Sequence, residues 1–313
     1  MELVTVEKVE VTVLMDSMAD YLLPASEHVV RPPLTKEGWI HRTPLLAEHG
    51  LSLLIRLHDK QSVHTVLLDT GWSETGLSHN MNHLGINPED IEAIVLSHGH
   101  IDHTGGLLWL LEQISQPVSV VAHPDAFLPV RYLEWEEKVD LIQLDKRSII
   151  EKGGKIVETT EPYLSPDGLW AATGQVPRVS EFEQGVPNAY LERDGRKEAD
   201  EIRDDQAIVI SLKDKGLIVV AGCAHAGIIN TITYGKKITG LDHVHAVLGG
   251  FHLSGPAFES IHDQTIESLR TLNPDILVPM HCTGFTAIAR MKQEFPEQQI
   301  LSSVGSTFVF SAS

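Results

Sequence analysis

The chain of 313 residues carries 24 basic and 43 acidic side chains, which give a formal net charge of −19. Hydrophobic residues make up 42% of the chain and charged residues 21%, a balance that excludes an intrinsically disordered protein. The length allows one large domain or two smaller ones. Because so acidic a surface repels phosphate backbones, we expect no nucleic-acid partner. A small anion held at a local metal ion or arginine remains compatible with this charge.

No segment of the sequence is typical of a membrane span or of a secretory leader. The longest apolar run, around Leu217–Ala224, is far shorter than the roughly 20 residues that a membrane helix needs. The first residues alternate like a strand and lack a basic segment followed by an apolar block. The two cysteines, Cys223 and Cys282, provide no disulfide framework. The sequence therefore predicts a soluble cytoplasmic protein that does not interact with membranes.

Alternating and continuous apolar runs predict a mixed α/β chain. Valines 9, 11 and 13 alternate with polar residues, as in a half-buried strand. The further predicted elements of the first 114 residues are strands at Leu51–Leu57 and Thr65–Leu68 joined by a hairpin turn, a helix over Ser78–Leu84, a helix start at Asn87, a strand at Ile94–Leu96 and a helix over Leu107–Ile114. In the last third we expect strands at Ala207–Leu212, Leu217–Ala221, Val244–Leu248 and Ile276–Pro279, and an amphipathic helix from Phe258 to Leu272.

The region between these halves, about residues 124–204, is rich in aromatic residues and then in charge. We interpret it as a cap-like elaboration of one domain, with aromatic residues between Tyr163 and Tyr190 at the mouth of a pocket. Eleven of the fifteen residues from Leu191 to Asp205 are charged. This pattern predicts a mobile charged loop or an ordinary solvated excursion.

The segment His98-Gly99-His100-Ile101-Asp102-His103 contains three histidines and one aspartate after a predicted buried strand. Residues two apart on a strand point to the same side, so His98 and His100 can bind one ion. If a helix begins near Asp102, then Asp102 and His103 can hold a second ion from its first turn. Imidazole and carboxylate ligands without thiolate favour zinc, with manganese or iron as alternatives. The sequence therefore predicts one or two divalent metal ions.

This segment resembles the HxHxDH signature of the metallo-β-lactamase superfamily, and Leu67-Leu68-Asp69-Thr70-Gly71 resembles the superfamily strand that ends in Asp-Thr-Gly. Further segments resemble the branch named after 7,8-dihydropterin-6-methyl-4-(β-D-ribofuranosyl)-aminobenzene-5′-phosphate synthase: residues 47–52, 173–178, 222–231, 249–253 and 281–284. The resemblance implies a single domain over residues 1–313 with a four-layer αββα sandwich and metal ions between the sheet edges.

The resemblance also implies further ligands, although the sequence departs from the usual pattern. The superfamily usually supplies a third histidine and a Gly-Asp carboxylate that bridges two metal ions, but here Gly222 is followed by Cys223. The segment Thr173-Gly174-Gln175-Val176-Pro177-Arg178 contains no histidine. We therefore predict His225 as the missing ligand and His281 as the final one. Cys223 is either a thiolate ligand or a small buried residue, and a single-ion site is the alternative to two ions.

Other residues are predicted to surround the metal ions. His252 follows a strand and is interpreted as a catalytic group that faces the substrate, with metal ligation as the alternative. Asp69 is predicted to accept a hydrogen bond from a metal-bound histidine, or else to form a turn. Glu48 and His49 are predicted to line the site or to be exposed loop residues. Arg178 is predicted to pair with a substrate phosphate or carboxylate, or to form a structural salt bridge.

The predicted ligands favour an enzyme. Metal-bound water attacking a small ester, lactone or phosphate, with Asp102 and His252 as catalytic residues, is one predicted chemistry. The resemblance implies another: the condensation of a dihydropterin methyl diphosphate with a ribofuranosylaminobenzene phosphate. The substrate is therefore expected to be a small molecule, phosphorylated or pterin-like. The alternative is a non-catalytic protein that binds or senses a ligand through its metal ions. The oligomeric state stays open.

Overall fold

The structure, a computed structural model, describes residues 1–41, 43–60 and 62–312. The strands within these ranges are β1 (Lys8–Met15), β2 (Val29–Val30), β3 (Thr35–Lys36), β4 (Trp39–Ile40), β5 (Ser52–His58), β6 (Val63–Leu68), β7 (Ala93–Val95), β8 (Val118–Ala122), β9 (Arg131–Glu134), β10 (Lys138–Asp140), β11 (Gly154–Glu158), β12 (Tyr163–Leu164), β13 (Trp170–Ala172), β14 (Ala189–Arg193), β15 (Arg196–Ala199), β16 (Ala207–Leu212), β17 (Gly216–Ala221), β18 (Val244–Gly250), β19 (Ile276–Met280) and β20 (Thr307–Ser311). The α-helices are α1 (Glu74–Leu84), α2 (Ile101–Thr104), α3 (Leu107–Glu112), α4 (Lys146–Glu151), α5 (Ile228–Thr239), α6 (His262–Leu272) and α7 (Phe285–Glu294).

Two large sheets carry the fold. One has eight strands in the order β11-β8-β7-β6-β5-β1-β20-β2, and the other has six in the order β12-β13-β16-β17-β18-β19. Strands β6, β7, β8 and β11 run parallel to one another, as do β17, β18 and β19. The amino- and carboxyl-terminal strands β1 and β20 pair antiparallel in the first sheet, so both ends of the chain contribute to one core.

The strands of both sheets are apolar on both faces, because each sheet packs against the other sheet on one face and against helices on the other. In β16, Ile208 and Ile210 pack into the core between the sheets, whereas Ala207 and Val209 face the helices outside. Residues from α5, α6 and α7 complete the outer core of the six-stranded sheet. Residues from α1, α3 and α4 do the same for the eight-stranded sheet. The predicted αββα sandwich is confirmed.

The predicted hairpin between residues 51 and 68 is present as β5 and β6. The helix expected to start at Asn87 is one 3₁₀ turn, Pro88–Asp90, because the chain enters strand β7 three residues later. No helix in the described ranges is long and apolar enough to cross a membrane.

The predicted cap over residues 124–204 is only partly an elaboration. Its strand β11 belongs to the eight-stranded sheet, and β12 and β13 belong to the six-stranded sheet. The added part is a small antiparallel sheet in the order β10-β9-β14-β15. The charged segment from residue 191 contributes to β14 and β15, and three aspartates near its end, Asp200, Asp204 and Asp205, are buried. The segment is therefore a strand pair and not a loop, although most of its charged side chains are exposed, as the sequence predicts.

Candidate metal centre

The side chains predicted to carry the chemistry follow the carboxyl ends of five strands. Carboxyl ends of parallel strands open at one edge of a sheet, which is where such folds place their sites. The strands and residues are β6 with Asp69, β7 with Ser97 and His98, β17 with Cys223 and His225, β18 with His252, and β19 with His281. The two sheets therefore bring residues far apart in sequence to one place.

The backbone at this edge is held in an unusual conformation. Asp69, Ala224, His252 and His281 have φ angles of 60°, 52°, 45° and 51°. This left-handed region is uncommon for residues other than glycine, and such residues cluster at functional sites. The turns after four different strands thus each contain a residue with a left-handed backbone conformation, which sets the direction of the side chains.

The imidazoles of His98, His100 and His225 converge on one point. The Nε2 atom of His98 lies 2.9 Å from Nδ1 of His100 and 3.2 Å from Nε2 of His225. Two ligand atoms that each lie ~2.1 Å from a zinc ion are roughly 3.0 to 3.4 Å apart. Ligand atoms of all three residues lie within 4.8 Å of one another. The geometry therefore fits one metal ion held by three histidines.

Burial keeps these three rings neutral. It lowers the pKa values of His98 and His225 well below the ordinary value, and neighbouring imidazoles lower them further. Burial and the nearby Arg131 guanidinium lower the pKa of His100 to about 4. Neutral imidazoles have a free lone pair, so these side chains are ready to bind a cation.

A second group of possible ligands consists of Asp102, His103, Cys223 and His281. The Oδ2 atom of Asp102 lies 3.5 Å from Nε2 of His103 and 3.4 Å from Nε2 of His281. Cys223 Sγ lies 3.1 Å from Nε2 of His103. Among the described residues, neither ring nitrogen of His281 has a hydrogen-bond partner. A buried imidazole without a partner fits a ligand whose ion completes its coordination.

Asp69 fixes the orientation of the second group. Its Oδ2 atom accepts hydrogen bonds from His103 Nδ1 at 2.6 Å and from Ser97 Oγ at 2.7 Å, and its Oδ1 atom accepts from the Ser97 amide. This contact turns Nε2 of His103 toward Asp102 and Cys223, and an ion bound there would have to displace the proton on Nε2. Although burial lowers the pKa of His103, the carboxylates of Asp102 and Asp69 raise it well above the ordinary value.

Cys223 connects the two groups. Its sulfur belongs to the second group and also lies within 4.8 Å of ligand atoms of His225 and His252. It therefore sits between the two possible ion positions, which gives the thiolate-ligand alternative a geometric basis. His252 lies on the outer side, with its ring 4.2 Å from that of His225 and 4.8 Å from that of Phe258. Its buried Nδ1 atom has no partner in the described part of the chain.

Two residues predicted to bind substrate, Glu48 and Arg178, make hydrogen bonds within the protein. The Oε1 atom of Glu48 accepts a hydrogen bond from Ser73, the cap of helix α1, so this carboxylate is directed to the helix end. Arg178 donates to the backbone carbonyl oxygens of Glu201 and His225 and so braces the turn that carries His225. Tertiary packing thus provides both side chains with partners that the sequence does not reveal, and their contact with a substrate remains a prediction. His49 is exposed, with its ring 5.0 Å from that of His281.

Sequence reasoning missed the residues that hold the turn between His98 and His100. The Gly99 amide donates to Asp204 at 2.8 Å, and Asp204 is paired with the buried Arg131. A Cβ atom at position 99 would lie 2.3 Å from the carbonyl oxygen of Ala126, so only glycine fits. The Gly99 in the motif was the available signal, but its partner lies 105 residues later.

A cavity of about 330 Å³ opens beside His225 and His252. Its apolar walls include Phe182, Phe251 and Phe258, and the buried carboxylate of Glu183 also lines it. The predicted aromatic mouth is mostly wrong, because Tyr163 and Trp170 pack on the core between the sheets and Tyr190 stacks on Tyr132. A second cavity of about 620 Å³ lies between residues 16–23 and α7, next to His281.

The two ligand groups predict different pH dependences for their metal ions. Protons compete for His100 only near pH 4, so the His98–His100–His225 group should hold zinc equally well from pH 8 to about 6. Asp102 and Asp69 raise the pKa of His103 well above its ordinary value, so protons compete for this ligand at higher pH and metal affinity in the second group should rise with pH over the same range. Chelator-competition titrations between pH 5.5 and 8 measure both constants. Equal pH slopes for the two ions would contradict this assignment.

Comparisons with known proteins identify the family of the chain. Residues 47–281 match the sequence profile of the metallo-beta-lactamase superfamily. A 7,8-dihydropterin-6-methyl-4-(beta-D-ribofuranosyl)-aminobenzene-5′-phosphate synthase of Methanocaldococcus jannaschii is 33% identical over 262 residues, which cover 82% of this chain and 88% of that protein. An uncharacterised protein of the same organism is 35% identical over 251 residues, 79% of this chain and 88% of its own length.

A solved structure described as a metal-dependent hydrolase of the β-lactamase superfamily has a similar fold. It superposes with a TM-score of 0.73 and 24% identity, over 97% of this chain and 100% of that one. At this identity the likeness shows the fold alone.

Proposed function

Because the chain belongs to the metallo-β-lactamase superfamily, we propose that it is a metal-dependent enzyme that joins a dihydropterin methyl diphosphate to a ribofuranosylaminobenzene phosphate. One observation carries the proposal: two groups of ligands meet at Cys223 beside a small cavity with aromatic walls. The substrate class is taken from the relative named as a 7,8-dihydropterin-6-methyl-4-(beta-D-ribofuranosyl)-aminobenzene-5′-phosphate synthase. A cytoplasmic location and the absence of a nucleic-acid partner remain predictions.

In this proposal His98, His100 and His225 hold one ion, and Asp102, His103 and His281 hold the other. The donor set fits zinc, with manganese or iron as alternatives. When bound, such ions neutralise the charge of a diphosphate or lower the pKa of a bound water. Asp69 orients His103, and Arg178 keeps His225 in place through its carbonyl oxygen.

The proposed reaction forms a bond between the arylamine nitrogen and the methyl carbon of the pterin. The bond from that carbon to the diphosphate oxygen breaks, and the diphosphate leaves with the electron pair. The nitrogen loses one proton, and His252, which lines the cavity, is the proposed acceptor. The ring of His252 contacts His225 and Phe258, so the proton acceptor lies between the ligand group and the cavity wall.

The experiment supplies metal-loaded protein with both compounds and follows diphosphate and the coupled product together. Equal amounts of diphosphate and coupled product are expected. If diphosphate is released together with a pterin alcohol, whether or not the arylamine is present, the reaction is hydrolysis and not condensation. Saturable binding without turnover would favour the non-catalytic binding protein. Protein freed of metal ions by a chelator is the control, and it should form no product until zinc, manganese or iron is restored.

A further inference from the structure

A separate group of metal-ligating side chains lies outside the candidate metal centre. It consists of His243, His245 and Asp275, each of which has a ligand atom within 4.8 Å of those of the other two. The two histidines lie at the start of β18, and Asp275 directly precedes β19. Strand β18 has seven residues. At about 3.3 Å of rise per residue, roughly 23 Å separate this group from the strand end that carries His252.

Strand β18 contains an extra residue at His245. Consecutive residues of the neighbouring strand β17 pair with Val244 and with Ala246, so His245 is the additional residue of a β-bulge. Val244 accordingly packs in the outer core, whereas Ala246 packs in the core between the sheets. A bulge changes the direction of a side chain and is common beside functional sites. The ring of His245 is mostly buried and meets the ring of Phe310 edge-on.

Both imidazoles approach the same oxygen atom. The Oδ2 atom of Asp275 lies 2.9 Å from Nε2 of His243 and 2.8 Å from Nδ1 of His245. All three side chains therefore face one point, as the ligands of a common ion must. Ligand atoms of one zinc ion are roughly 3.0 to 3.4 Å apart, so a small opening of the group would admit an ion. Burial lowers the pKa of His245, which leaves its imidazole neutral and able to bind a cation.

We propose that His243, His245 and Asp275 bind one further divalent transition-metal ion, separate from the candidate metal centre. Two imidazoles and one carboxylate are the protein ligands of known zinc sites, in which water takes the remaining position. Magnesium and calcium prefer oxygen ligands, so the two histidines select zinc or a similar ion. The side chains of His243 and Asp275 are 54% and 42% exposed, so this ion exchanges with solvent more easily than the ions of the buried centre.

An ion at this position connects β18 with β19 at their amino ends. The carboxyl ends of the same two strands precede His252 and His281, so the ion stabilises the strands that carry these side chains without taking part in the reaction. A ligand that binds only the folded protein raises its Tm. The proposal is independent of the reaction proposed above, and the absence of coupled product would leave it standing.

The test titrates zinc into protein whose metal centre is already loaded, in competition with a chromophoric chelator. The wild-type protein should bind one ion more per chain than His243→Asn or Asp275→Ala, and added zinc should raise the Tm of the wild type alone. In each variant the affinity for this ion should fall more than the 10- to 100-fold that loss of an outer hydrogen-bond partner costs. Both side chains lie at the surface, so we expect both variants to fold and to keep their turnover.

Two further variants serve as controls. His83→Asn changes an exposed histidine on helix α1 and should keep the further ion. His98→Ala acts on the metal centre and should also keep it, whereas the double variant His98→Ala/His243→Asn should lose one ion from each place.

The wild-type protein and His243→Asn are the decisive pair. If they bind the same number of zinc ions with the same affinity, the three side chains form hydrogen bonds only and the proposal is overturned. If the further ion disappears in His98→Ala but stays in His243→Asn, it belongs to the centre and the proposal is again overturned. If His243→Asn and Asp275→Ala both lose the ion and keep their turnover, the separate site is supported.

Discussion

Replacing His98 by alanine is expected to remove the ion of the three-histidine group and to lower turnover more than the 10- to 100-fold that loss of an outer hydrogen-bond partner costs. Two neutral histidines would remain, fewer than the three protein ligands typical of catalytic zinc. The Nε2 atom of His98 is the one that both His100 and His225 approach, so no neighbour can take its place. Metal content by mass spectrometry and turnover are measured on the same preparation.

A matched control is His83→Ala, which removes an exposed histidine on helix α1. It should leave metal content and turnover unchanged. His98→Ala with full metal content would show that the three imidazoles do not hold an ion together. If the variant loses its metal but keeps its turnover, the proposed reaction does not depend on this metal ion.

Much of the fold could be predicted from the sequence because its signals are local. The strands β16, β17, β18 and β19 are apolar runs bounded by turn residues, and the structure places them within one residue or two of the predicted ranges. His98, His100, Asp102 and His103 are close in sequence, so strand and helix geometry alone brings them together. His225 and His281 are predicted from the ligand pattern that the superfamily resemblance implies, and His252 because it follows a predicted strand.

The surroundings of the site could not be predicted because their partners are far apart in the chain. Asp204 pairs with Arg131, 73 residues earlier, and the dense charge around it resembles a solvated loop. Glu183 meets the start of helix α5 from 46 residues away, within a loop that shows no periodic pattern. Arg178 looks like an anion-binding residue until its carbonyl partners are known. Such polar contacts depend on tertiary packing, and they cannot be inferred from residue type or spacing.

His225 and His252 are adjacent in space, yet we expect their replacements to have different effects. The Nε2 atom of His225 lies 3.2 Å from that of His98, inside the three-histidine group, so His225→Ala should release about half of the bound metal along with most of the turnover. His252→Asn should keep its metal and slow turnover by roughly 10²- to 10⁴-fold, the range that positioned acid–base groups contribute. His83→Asn, which changes an exposed histidine on helix α1, is the control and should change neither quantity.

Metal content and turnover, measured side by side, separate a ligand from a proton acceptor. The alternative, in which His252 is a metal ligand, has a geometric basis, because ligand atoms of Cys223, His225 and His252 lie within 4.8 Å of one another. If His252→Asn lost an ion while His225→Ala kept both ions, His252 would be the metal ligand and His225 would not.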